Sequence, residues 1–173
     1  MACSTTLTGY TVENCFNSKG GVKCVWVANY VDDAYTFTTA GTVSGFSTGI
    51  TWYRQELRRG IATMTSTYNY DDAAGSKYVQ TDAVFQYNRM DKDNRMNMNA
   101  LIQGALIVVV EDENGMYYAL GTEDKVFATA GTGETGAGRS DANRYEITLT
   151  DYRSDFPPYL DSAAIAALPT ANA

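Results

Sequence analysis

Apolar and polar residues alternate along most of this chain, and only one short stretch keeps a different period. Val22-Lys23-Cys24-Val25-Trp26-Val27-Ala28-Asn29 is a β-rich run between turn signals, with Gly20-Gly21 before it and Asp32-Asp33 after it. Tyr35-Thr36-Phe37-Thr38 alternates as a second strand. Gly41, Gly45 and Gly49 break up the next segment, and Ile50–Arg54 reads as a short strand.

The clearest period-two signal spans residues 61–89. One face of the first arm carries Ala62, Met64, Ser66, Tyr68 and Tyr70, and the other carries Ile61, Thr63, Thr65, Thr67 and Asn69. After Asp71-Asp72-Ala73-Ala74-Gly75-Ser76, the return arm places Val79, Thr81, Ala83, Phe85 and Tyr87 on one face. Two alternating runs around a glycine turn predict a hairpin with arms of about ten residues, against the usual five or six. A ribbon of that length protrudes if it has only its own domain to lie on. Its apolar side is then expected to dock on something else, a second copy of the chain included.

The period changes at 91–104. Asp93 is placed to cap a helix of about three turns, Met96, Ala100 and Ile102 or Gln103 give its stripe, and Gly104 stops it. Ala105–Glu111 follows as a buried strand, Asn114-Gly115 as a hairpin turn and Met116–Leu120 as the return strand. Phe127–Ser140 reads as a glycine-threonine loop. Tyr145–Thr150 alternates as a last strand, and an Ala-rich tail allows one helical turn at Ser162–Leu168. The expected fold is mainly β. It is an antiparallel β-sandwich or barrel with one short α-helix and a long protruding β-hairpin. Residues 1–173 form a single domain, with an N-terminal arm over 1–21 and a C-terminal tail over 156–173.

Composition sharpens this picture. With 173 residues the chain can bury a core without staples, and its 13 tyrosines suit half-buried pleated surfaces. Histidine is absent, which removes the commonest general base and metal ligand. The net charge of −7 is uneven: residues 1–60 hold five basic and four acidic groups, and residues 61–173 hold eight and sixteen. Such a surface repels phosphate and argues against tight nucleic-acid binding. Cys3, Cys15 and Cys24 fit neither a disulfide framework nor a zinc site and read as reduced thiols, Cys24 in the core of a strand. The apolar stretch Ala105–Val110 falls far short of the roughly 20 residues that span a bilayer. No membrane insertion and no targeting segment are expected.

Several strings imitate chemistry. Gly131-Thr-Gly133-Glu-Thr-Gly136 has dinucleotide-fingerprint spacing, but that motif works only between a strand and a helix, and a strand follows here. Tyr30-Val31-Asp32-Asp33 resembles a polymerase carboxylate pair without the further carboxylate that two metals need. Asp91-Lys-Asp93-Asn-Arg95 opens like a calcium loop but has Met96 where Gly belongs and Ile102 where Glu belongs. Glu111-Asp112-Glu113 reads as a solvated hairpin end, with cation binding the weaker alternative. Trp26, Trp52 and the tyrosines could stack on sugars, but aromatics at strand spacing are more often core or interface. No nucleophile–base pair has a local signature. The expectation is a non-enzyme with no cofactor and no metal.

The order of helix (Asn94-Arg95 leading it), Val108-Val-Val-Glu-Asp-Glu-Asn-Gly115 hairpin, Thr129–Gly138 loop and Asn143-Arg-Tyr-Glu-Ile-Thr-Leu-Thr150 strand resembles the tail tube (major tail) proteins of bacteriophages. The resemblance covers roughly residues 60–155. It implies a virion protein forming hexameric rings that stack into a hollow tube, assembled in the host cytoplasm with other tail proteins. Viral DNA would pass through without specific binding. The residues expected between subunits are Met64, Tyr68, Tyr70, Tyr78 and Phe85 of the hairpin, Phe156 and Tyr159 of the 156–160 segment, and the N-terminal arm. Asp71, Asp72 and Asp82 are expected to line the bore. The rival readings are a capsid decoration or head-fibre protein, a monomeric β-sandwich binding module, and a small enzyme using carboxylates.

Overall fold

The structure is a computed structural model that describes residues 9–10, 18–57 and 60–170. Among these the chain forms ten strands: β1 Val22–Asn29, β2 Tyr35–Phe37, β3 Val43–Phe46, β4 Tyr53–Glu56, β5 Thr63–Asp71, β6 Ser76–Asn88, β7 Leu106–Asp112, β8 Tyr117–Leu120, β9 Phe127–Glu134 and β10 Arg144–Arg153. Two helices join them, α1 Lys92–Gln103 and α2 Ser162–Ala166. The fold is mainly β and sandwich-like, built from antiparallel sheets that do not close on themselves.

Three layers account for the sequence pattern. The central sheet has the order β4-β1-β7-β8, the outer sheet β5-β6-β10-β9, and β2 and β3 form a small hairpin. Val25 and Val27 of β1, Val108 and Val110 of β7 and Leu120 of β8 meet Ala83, Phe85, Ile147 and Leu149 of the outer sheet. The opposite faces of the same central strands carry Cys24, Trp26, Ala28, Ile107, Val109 and Ala119. These pack against Tyr35, Val43, Leu160, Ala164 and Leu168. A sheet covered on both sides needs apolar residues at every position, so β1 and β7 are nearly continuous hydrophobic runs. The outer sheet, covered on one side, alternates. Cys24 is a free, buried thiol on β1, as its position in the sequence implied.

The helix starts one cap earlier than expected. Asp91, not Asp93, is the N-cap, and its carboxylate accepts the Asn94 backbone N–H at 2.8 Å; Asp93 stands in the first turn, where it favours the positive end of the helix dipole. The buried stripe is Met98 and Leu101, whereas Met96 and Ile102 are exposed. The tail forms the short helix α2, capped by Asp161, whose carboxylate accepts two backbone N–H groups at 2.9 Å.

Two strands occur where glycines were read as breaks. Val43–Phe46 pairs with β2 across Gly45. Phe127–Glu134, expected as a loop, pairs along β10 from Thr150 to Arg144. Packing requires one of its glycines, Gly133. A Cβ on Gly133 would lie 2.9 Å from the Tyr145 ring, and one on Gly131 would reach Ile102 and Met98 of α1. The Ile50–Arg54 strand is displaced to Tyr53–Glu56. The Asn114-Gly115 turn is present, with Gly115 at φ 78° and Asp112 accepting the N–H groups of Asn114 and Met116.

Candidate assembly surface

β6 is the strand on which the surface is built. Its buried residues Val79, Thr81, Ala83 and Phe85 fix one side inward, so Tyr78, Gln80, Asp82, Val84 and Gln86 turn outward. Register carries the same division across the sheet. Thr63, Thr65, Thr67 and Asn69 of β5 and Glu146, Thr148, Thr150 and Tyr152 of β10 share the outward face. Two polar chains run across the strands. The Thr129 hydroxyl donates to Thr150 (2.7 Å), which donates to Asp82 (2.6 Å), and Gln80 donates to the same carboxylate (3.0 Å). Glu134 lies 2.6 Å from Arg144 Nε without hydrogen-bond alignment. Arg144 also donates to Gln86 (3.0 Å), and Gln86 to Glu146 (2.5 Å). Asp71, Asp82, Glu134 and Glu146 stand against Arg144 alone, so the face is acidic.

The two edges of this sheet are long and open. β5 has nine residues and β9 eight, and among the described residues no strand pairs with the outer side of either. The central sheet is treated differently. Its β8 edge is covered by the chain at 158–160, through Ala119 N–H to Pro158 O (2.9 Å) and Leu160 N–H to Tyr117 O (3.0 Å). Its other edge, β4, is four residues long and carries the Arg54–Glu56 ion pair, a blunted edge.

The expected contact residues separate into three groups. Tyr68 (53% exposed), Tyr70 (56%), Phe156 (61%) and Tyr159 (47%) are available at the surface; Tyr159 also stacks on Tyr118 with centroids 5.0 Å apart. Tyr78 is on the outward face against Tyr152, centroids 5.9 Å apart. Phe85 is fully buried between the sheets and cannot contact another subunit, whereas Met64 is half-buried and packs on the same core. This corrects the reading of the hairpin: the apolar side of β6 is buried by the chain's own central sheet. Only three residue pairs, Asn69–Tyr78, Tyr70–Lys77 and Asp71–Ser76, extend past the last β6–β10 pair at Val79. Of the acidic residues expected in a bore, Asp82 lies on the outward face. Asp71 sits at the end of β5, accepting the Ala74 N–H, and Asp72 lies in the turn, accepting the Tyr70 hydroxyl. Most of the N-terminal arm lies outside the described residues; Lys19 within it exchanges backbone hydrogen bonds with the Asn114 side chain.

The chemical imitations take structural places. Gly131 and Gly133 lie within β9 and Gly136, at φ 68°, lies just beyond it, so no helix follows the glycines. Asp33 occupies a turn at φ 54°. Glu111 is buried and paired with Lys23 at 2.5 Å, a correction to its reading as a solvated hairpin end. Among the described residues no three His, Cys, Asp or Glu side chains converge on a metal position. An open groove of about 460 Å³ between β4 and α1 is lined by Trp52, Arg54, Gln55, Tyr87 and Asn97, and its walls include no carboxylate. Comparison with family models, curated proteins and solved structures gives no match to this chain.

Proposed function

We propose that the chain is a structural subunit that joins copies of itself edge to edge into closed rings, stacked as the tail tube of a bacteriophage. The observation that carries the reading is the outer sheet with two open edges of matching length. Its four strands alternate in direction, so β9 of one copy and β5 of the next run antiparallel when all copies keep one orientation. Such a head-to-tail contact closes into a ring when the rotation between neighbouring copies divides a full turn. The rest of the domain lies on the inward side of the outer sheet, so the bulk of each subunit stays outside the ring and the acidic face lines the bore. Acidic walls repel phosphates, and DNA slides where no Lys or Arg contact releases counterions. The number six comes from the family resemblance alone.

Electron microscopy of the purified chain tests this directly: rings or tubes are expected, and a population that stays monomeric at high concentration refutes it. Because β6 is an inner strand of the outer sheet, point variants on β5 test the edge without removing the hairpin. Thr67→Pro and Tyr68→Pro are such variants. Successive backbone N–H groups of an edge strand point alternately into the ladder and out to solvent, so one variant breaks a ladder bond and the other blocks only the open edge. The edge variant is expected to melt within a few degrees of wild type and to form no rings. Rings from that variant would sink the edge-pairing model.

A further inference from the structure

The two open edges of the outer sheet do not stand at the same height. Arg144 of β10 faces Glu134 at one end of β9, and Thr150 faces Phe127 at the other. On the other side of β10, Thr148 faces Val84, which faces Thr63 at the start of β5, and Arg153 faces Val79, which faces Tyr68. β5 therefore begins four residues farther along than the Glu134 end of β9, the step from Arg144 to Thr148. Copies set side by side at equal height bring only Thr63, Met64 and Thr65 opposite β9, at Ala130, Ala128 and Phe127. The rest of both edges then stays bare, with its backbone groups still open to pairing.

Sliding one copy along its strands corrects the mismatch, and the sheet restricts the slide. An odd number of residues sets inward side chains of β5 against outward ones of β9, so only even slides keep both faces. Backbone phase sets the same condition. In an antiparallel sheet a residue that exchanges both bonds with one neighbouring strand has none for the other, so pairs along one level alternate in type from ladder to ladder. Three ladders lie between β5 and β9, so Thr63 and Ala130 turn their backbone groups alike with respect to the open edges. Even slides preserve that match. A slide of two leaves Gly133 and Glu134 without partners, and a slide of six leaves out Thr63 and Met64 while pairing no more of β9 than a slide of four.

We propose that neighbouring copies pair β5 with β9 at a slide of four residues, Thr63 of one copy opposite Glu134 of the next and Thr67 opposite Ala130. This register rests on the edge-paired ring of the proposed function and goes one step beyond it. A slide of about four residues at about 3.3 Å each, spread over strands about 4.8 Å apart, four to a copy, tilts the strands by about 35° from the ring axis. Closed barrels tilt their strands by about 35–45°. Slides of two and six give about 19° and about 46°. The tilt is independent of the number of copies, because each copy adds the same slide and the same strands. Tyr70, Asp71 and the turn after them stand clear of β9 in this register, as an overhang at one end of the ring.

Cysteine cross-linking of assembled rings reads the register. Thr65 is exposed on the outward face of β5, and Ala130, Thr132 and Glu134 are exposed on the same face of β9. Within one chain β6 and β10 separate these positions, so a cross-link joins two copies. Directly opposite residues have Cβ atoms about 4.5–5.5 Å apart, and the next ones on the same face about 7–8 Å, too far for a disulfide. Thr65→Cys with Thr132→Cys is expected to give a ladder of multimers on a denaturing gel after oxidation or a methylene-length thiol linker. Thr65→Cys with Ala130→Cys or with Glu134→Cys is expected to stay mostly monomeric on the same gel. A ladder from either of those instead overturns the register and leaves the ring standing. Rings that cross-link through none of the three overturn edge pairing and the register with it, and a wild-type chain that forms no rings overturns the ring itself and the register together. If the double variants do not assemble, hydrogen exchange of wild-type rings against the free chain decides. Protection gained at both Thr63–Met64 and Gly133–Glu134 supports the slide of four, and either pair left unprotected overturns it.

Discussion

The two four-stranded sheets share a core, yet they are finished in opposite ways. The central sheet is covered on both faces, one edge is capped by residues 158–160 and the other is short and charged. The outer sheet has one polar face and, among the described residues, two open edges. Open strand edges invite pairing with another chain, and a fold that blunts one pair while leaving longer ones bare has the means to do so. The contrast teaches that two sheets sharing one core are finished differently, and the proposed assembly rests on the bare edges of the outer one.

Phe85 and Val84 put this contrast on adjacent residues. Phe85→Ala removes a fully buried ring between the sheets and is expected to cost about 3–5 kcal/mol in denaturant unfolding. A cost near zero would break the claim that the hairpin base belongs to the subunit core. Asp151 comes next. Because its folded pKa of about 6 exceeds the unfolded 3.8, its ionisation destabilises the fold; the penalty is absent below about pH 4, grows as pH rises and is complete above about 6. The difference in stability between Asp151→Asn and wild type is expected to grow by about 2 kcal/mol in favour of the variant from pH 4 to pH 7. Parallel pH profiles would contradict this. Val84→Thr, on the outward face one residue from Phe85, is expected to change stability by no more than about 0.5 kcal/mol. A larger loss would mean that the polar face is covered within the subunit.

Legibility followed the side chains. The alternation of β6, the double-sided runs of β1 and β7 and the Gly104 stop were all readable, because each is written in apolar residues at a fixed period. Residues 127–134 were not, since the strand is mostly exposed and built of small residues, with the Tyr145 ring taking the space at Gly133, and such a run mimics a loop. The same alternation that marked the inner face of β6 could not say whether its cover was a neighbour or the central sheet. That depended on pairing between distant strands, which is why Phe85 was misplaced. Asp151 was hidden because the strand was read as ending at Thr150, one residue before the inward pattern turns charged. The open edges of β5 and β9 have no sequence signature at all; they exist only once the strand order is known.

The cover over Trp26 on the central sheet governs how the molecule is made. The Trp26 indole donates to the Pro169 carbonyl at 2.9 Å across 143 residues of chain, with Leu160, Ala164 and Leu168 sealing the same face. A ribosome therefore delivers the first central strand long before its cover. Pairings of such separation belong to the slow class of folding reactions, because the loop-closure entropy falls due before the contacts form. Until residues 160–169 emerge, one side of the central sheet is an exposed tryptophan-bearing surface, and nascent chains must be kept from meeting there.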